Sequence, residues 1–164
     1  MEASQREDAA TEIAFHLYQS GAAADEEKTI RLLELAGDLT RRAGAFREAE
    51  QHYRHAIELS DDNGQQGELL IKTAICVRTV QGTQAAILVN QKAADLLHAA
   101  GLHDRAGRPE TEVARFLLEL NLGVDADRYV AGLLESDRAL SPVRRAGFHI
   151  ARALARGLAE RPFP

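Results

Sequence analysis

Glu48, His52 and His55 stand four and three residues apart, a spacing that in a helix brings a carboxylate and two imidazoles to one side, within reach of a single divalent metal ion. The same segment carries an apolar rhythm, Ala49, Tyr53, Ala56 and Ile57, and the two histidines fall beside that packed side rather than on it. Solvated histidines are therefore the expectation, and no metal site is assigned. Asp95 and His98 have the i, i+3 spacing of a di-iron bundle pair, but such a centre needs matching carboxylates from facing helices. His16, between Phe15 and Leu17, lies at the edge of the Ile13 and Leu17 stripe and reads as structural. Cys76 sits in the apolar run Ile71 to Val80 with no cation evidently placed to lower its pKa, so a buried, unreactive thiol is expected. Gly-x-Ser-x-Gly, His-Glu-x-x-His, Cys-x-x-Cys and dinucleotide-type glycine patterns do not occur, and nothing selects two of the many carboxylates as acid and base. The expectation is a non-enzyme with no catalytic residue and no cofactor.

Helices must carry these side chains. Ala10, Ile13, Ala14, Leu17 and Tyr18 recur at helical spacing before Gly21, predicting a helix over Glu7 to Ser20. Asp25, Glu26 and Glu27 suit the positive end of a second helix, which runs through Ile30, Leu33, Gly37 and Thr40 to Ala43-Gly44. A third spans Phe46 to Ser60 and ends in the polar turn Asp61-Asp62-Asn63-Gly64. Helices over Glu68 to Gln81 and Gln84 to Ala100 flank a turn at Gly82. His103 to Arg108 reads as a polar loop, and Pro109 as the first residue of a helix whose inward stripe is Val113, Phe116, Leu117 and Leu120. Further helices are expected over Asp125 to Ser136 and from Ser141-Pro142 to Ala159.

The 164 residues suit one domain or short solenoid, 45% hydrophobic and 27% charged, rich in helix formers and without proline before Pro109. One cysteine forms no internal disulfide, which fits a reducing cytoplasm. No apolar stretch approaches the ~18 residues of a membrane span, and the polar Met1 to Asp8 is unlike a secretory signal. The net charge of −5 argues against nucleic acid. The last 24 residues nevertheless hold Arg144, Arg145, Arg152, Arg156 and Arg161 against Glu160, a local +4.

Paired helices recurring every 30 to 50 residues are the mark of a helical solenoid. From Ile30 to Asp61 the chain resembles a tetratricopeptide repeat. Leu33 takes the large apolar site, Gly37 the small site of the first helix, and Ala49, Tyr53 and Ala56 the small, aromatic and small sites of the second. Thr40 stands in place of the usual aromatic residue and Asp61 in place of the usual proline. A second unit from Gly67 carries Leu70, Ala74, Ala86, Asn90 and Ala93, 37 positions on rather than about 34, with the Asp61 to Gly64 loop expected to absorb the difference. A third has Phe116 at the small site. One domain is thus divided into an N-terminal helix (1–29), repeats over 30–63, 67–100 and 109–137, and a capping helix (141–160). The runs IAFHLYQSG and LAGDLTRRAGAFREAEQHYRHAIEL also look like the repeats that follow the nucleotide-binding module of bacterial signal-transduction ATPases and large transcriptional regulators, where they act as sensor or docking arms, although no phosphate-binding loop occurs here.

That resemblance implies a concave wall lined by Arg31, Glu34, Asp38, Arg41 and Arg42 in the first unit and Glu68, Ile71, Ile75, Arg78 and Thr79 in the second. Charged residues around an apolar centre suit a peptide, with arginine as anchor; a merely solvated wall is the other reading. Glu34 and Asp38 stand where the family's carboxylate clamp wants Lys and Asn, which argues against a chaperone-type C-terminal carboxylate. Arg145, His149, Arg152 and Arg156 form a basic stripe opposite Val143, Ile150, Leu154 and Leu158. The expected arrangement is a cap with its polar side outward, the alternative an acidic partner, including this chain's own acidic half through homodimer formation.

The reading is an all-α, right-handed stack of antiparallel hairpins, about seven helices, cytoplasmic, binding a protein or peptide partner as scaffold or regulatory adaptor without membrane or nucleic acid. The alternatives are a sensor or docking arm of an ATPase or transcriptional regulator, and a small metal-binding enzyme at Glu48, His52 and His55.

Overall fold

A computed structural model describes residues 26–136 and 141–159. The helix expected over Glu7 to Ser20, with His16, lies outside the described residues. Those described form seven helices and no strand: α1 (Glu26–Arg42), α2 (Phe46–Leu59), α3 (Asn63–Gln81), α4 (Thr83–Ala99), α5 (His103–Glu119), α6 (Gly123–Glu135) and α7 (Pro142–Ala159). Consecutive helices pack most extensively on one another, and α5 also touches α7. The chain is an all-helical solenoid of antiparallel hairpins.

The first hairpin follows from residue size. Leu33, Ala49, Tyr53 and Ala56 are wholly buried together with Gly37. A Cβ on Gly37 would stand 2.5 Å from Cε1 of Tyr53, so the glycine lets the ring lie flat against the α1 backbone. In the second hairpin Leu70, Ala74, Ala86, Asn90 and Ala93 are likewise buried. α3 is apolar on nearly all sides, with Leu69, Leu70, Ile71, Ala74, Cys76 and Val77 buried, as a helix packed between two others must be. Gly44, Gly82 and Gly101 end helices with φ of 85°, 96° and 73°, which only glycine adopts without strain.

Two boundaries differ from the sequence expectation. α3 begins at Asn63 rather than near Glu68, because the Asp62 side chain caps it by accepting from the Gln65 amide at 2.6 Å. The extra residues of the second unit thus add a helical turn, not a loop. Gly64 and Gly67 are buried in that turn, where a Cβ would collide with Leu102 and Leu97 respectively. α5 begins at His103, six residues before Pro109, so 103–108 is not a loop. Ala106, Gly107 and Glu110 carry the buried rhythm of Val113 and Ala114 back across the proline. The proline ring is itself fully buried, which offsets the amide hydrogen bond it cannot make.

A buried polar chain braces α4, α5 and α7. The Glu110 side chain is 1% exposed, and its Oε1 lies 2.7 Å from Nε2 of His98, whose Nδ1 lies 2.9 Å from Nδ1 of His103. Its Oε2 accepts from Arg144, which donates also to the His103 carbonyl. Gly107 leaves the gap, since a Cβ there would overlap the Arg144 guanidinium. His98, weighed in sequence as a partner of Asp95, belongs instead to this brace.

Candidate docking face

The first helices of the hairpins, α1, α3 and α5, share one side, and ion pairs tie them in order. Lys72 of α3 bridges Glu34 at 2.7 Å and Asp38 at 2.6 Å on α1. Arg105 of α5 meets Glu68 at 2.9 Å, and Arg78 meets Glu119 at 2.9 and 3.0 Å. All ten residues assigned to the concave wall lie on α1 or α3, but they are not equally available. Glu34 and Asp38 are committed to Lys72, and Asp38 also accepts from the Tyr53 hydroxyl at 2.7 Å. Arg41 is half-buried beside that hydroxyl, which with the nearby Asp38 charge raises its pKa. Arg31 is held by Glu27, Arg42 is exposed, and Ile71 is buried. Glu34, Asp38 and Arg41 therefore tie α1 to α2 and α3 before they can bind anything else.

Burial alone would raise the Asp38 pKa, but the hydrogen bonds from Lys72 and Tyr53 and the Lys72 and Arg41 charges outweigh it and hold the carboxyl below its ordinary 3.8. A depressed folded pKa adds stability that is complete above the unfolded value and disappears as pH falls through the folded one. Urea unfolding of the wild type and Asp38→Asn should therefore differ most above pH 4 and converge below it. A gap that stays constant down to pH 2 would show that Asp38 does not carry this linkage.

Ile75 and Arg78 face an opening of about 280 Å³ between α3, α4 and α5. Its floor is Ile71, Ala74, Ile75 and Phe116, and its polar edge is Arg78, Arg108, Glu112 and the buried Asn90. Asn90 donates to the Ala86 carbonyl at 2.9 Å, which orients its amide. Arg78 and Arg115 lie over the Phe116 ring, 4.8 and 4.5 Å from its centre, so the rim arginine is held by stacking as well as by Glu119. Arg108 is exposed and has no ion pair among the described residues. Arg108 is not legible in sequence because 103–108 reads as a loop, and Phe116 reads as packed core of the third unit rather than as part of an opening. Once α5 starts at His103, Arg108, Glu112 and Phe116 fall on one side at four-residue intervals.

The other sequence candidates are placed as follows. His52 and His55 are half-buried rather than solvated, and burial together with His55 lowers the His52 pKa. Cys76 is fully buried, and burial pushes its thiol up to about 11. Among the described residues no three His, Cys, Asp or Glu side chains converge as a metal site, and no helix is long and apolar enough to cross a membrane. The basic stripe is largely solvated, with Arg145, His149 and Arg156 exposed and Arg152 half-buried. Arg152 and Arg156 both donate from Nε to one oxygen of Asp127 at 2.9 Å, while Arg145 and His149 stay exposed. Val143, Ile150 and Leu154, expected on the packed side, face solvent as well. The reversal arises because Arg144 and Phe148, not the apolar stripe, fill the space against α5 and α6.

Comparison with protein-family models, characterised proteins and solved structures finds no match for the chain.

Proposed function

We propose that the chain is a non-enzymatic protein-interaction module that holds a peptide or protein segment across α3 and α5, as a scaffold or regulatory adaptor in a reducing cytoplasm. The observation that supports this is the opening at Ile71, Ile75 and Phe116, an apolar floor beside two arginines. An apolar side chain of the partner fills it, and an acidic neighbour meets Arg108. Stacking and the Glu119 pair hold Arg78 in place beforehand, so less side-chain entropy is lost on binding. Arginine is, with tryptophan and tyrosine, one of the residue types enriched among the anchors of such contacts.

The test is capture from host lysate, read by mass spectrometry, by wild type and by an Ile75→Glu, Arg108→Glu variant. Both positions are exposed, so helicity and stability should stay within about 0.5 kcal/mol, while recovered partner falls at least about tenfold. Reversing Arg41 instead would strike the Tyr53 and Asp38 network. Equal capture by the variant removes this face. A captured ATPase or DNA-binding regulator would assign the module as that machine's docking arm.

A further inference from the structure

The last helix turns its apolar side outward. Val143, Ile150 and Leu154 are 82%, 64% and 59% exposed, and only alanine and glycine, including Gly147 and Gly157, stand between them along that side. The stripe repeats at 143, 146/147, 150, 153/154 and 157, the seven-residue period with which one helix seats another. A Cβ added at Gly147 or Gly157 would meet nothing within 4 Å, so the space in front is open. Along one edge run the exposed Arg145 and His149, with Arg156 56% exposed beyond them.

An occupant needs a stripe of the same period and acidic charge beside it. Residues 7–20 carry both in sequence: Ala10, Ile13, Ala14 and Leu17 have the i, i+3, i+4, i+7 spacing. The first 25 residues hold Glu2, Glu7, Asp8, Glu12 and Asp25 against Arg6, a net −4, to set against the exposed Arg145 and His149, since Arg144 is held by Glu110 and Arg152 and Arg156 by Asp127. We propose that α7 of one copy docks residues 7–20 of a second copy, so that chains join head to tail. Pairing α7 with itself across a two-fold axis would bring one basic edge against the other, whereas the heterologous pairing sets opposite charges together. Within one chain α1 and α7 share no extensive contact and α3 and α5 lie between them, so the pairing falls between copies. A head-to-tail contact of this kind closes into a ring where its rotation allows and otherwise continues as an open chain.

The test uses the full-length chain in sedimentation equilibrium over a concentration series. One variant, Ile150→Glu with Leu154→Glu, disables the α7 end; another, Ile13→Glu with Leu17→Glu, disables the N-terminal end. The wild-type mass should rise past that of a dimer with concentration and fall as salt is added. Each variant alone should be a monomer, and a mixture of the two should give a 1:1 dimer and nothing larger. A labelled peptide of residues 5–20 should bind wild type at least about tenfold more tightly than the Ile150→Glu, Leu154→Glu variant, which keeps the test decisive if the N-terminal variant misfolds. A wild type that stays monomeric, a mass that stops at a dimer without rescue on mixing, or a monomer that binds phosphatidylserine vesicles through the stripe would each overturn the proposal, the last by making the occupant a lipid surface.

Discussion

Replacing Glu110 by Met lowers the free energy of unfolding by about 3–5 kcal/mol, the cost of stripping one partner from a buried ion pair. The Glu110 side chain is 1% exposed and that of Arg144 14%, so water does not replace the carboxylate. Arg144 would keep only the His103 carbonyl and a distant Asp104 oxygen at 4.0 Å, and the ring nitrogen of His98 would lose its acceptor. Arg144→Met should cost a similar amount by leaving the carboxylate uncompensated. The double variant should cost far less than the two singles together, because an apolar pair of similar volume needs no desolvated charge. Chemical denaturation of the four proteins reads the cycle. Additive losses would mean that the two side chains do not act as a pair.

Tyr53→Ala should cost about 3–5 kcal/mol, the range for deleting a buried aromatic ring. The ring is wholly buried against Gly37, which has no side chain of its own to fill the space. Tyr53→Phe keeps the ring and removes only the donor to Asp38, which Lys72 continues to hold. It should cost about 1 kcal/mol. A small loss for Tyr53→Ala, measured by thermal or urea unfolding, would mean that the first hairpin collapses around the cavity and that packing on Gly37 is not what joins α1 to α2.

The first hairpin was legible because its determinants are local. Leu33, Gly37, Ala49, Tyr53 and Ala56 declare their burial by spacing and size alone, and the structure buries all five. The start of α5 was not legible. Proline at the first turn is the commoner arrangement, and nothing in 103–108 announces that Ala106 will pack against α3 and α4 and Gly107 against Arg144 of α7. The docking face was half legible: Ile75 and Arg78, read as wall residues, line its opening, while Glu34 and Asp38 are taken by a lysine 38 and 34 positions away.

By itself the sequence determined the helices, most of their ends, and which sides of the first two hairpins are packed, since these follow from helical period, glycine placement and side-chain volume within a few residues. Tertiary structure alone decided where the charges went. The choice of Lys72 for Asp38, of Arg144 for Glu110, and of Asp127 for both Arg152 and Arg156 is made between helices that are distant in sequence. A long charged side chain goes to whichever partner lies within hydrogen-bonding reach once the backbones are packed, and that distance has no counterpart in the spacing of residues along one helix. The outward stripe of α7 has the same origin, because once Arg144 and Phe148 occupy the inner side, the helical period leaves Val143, Ile150 and Leu154 facing away.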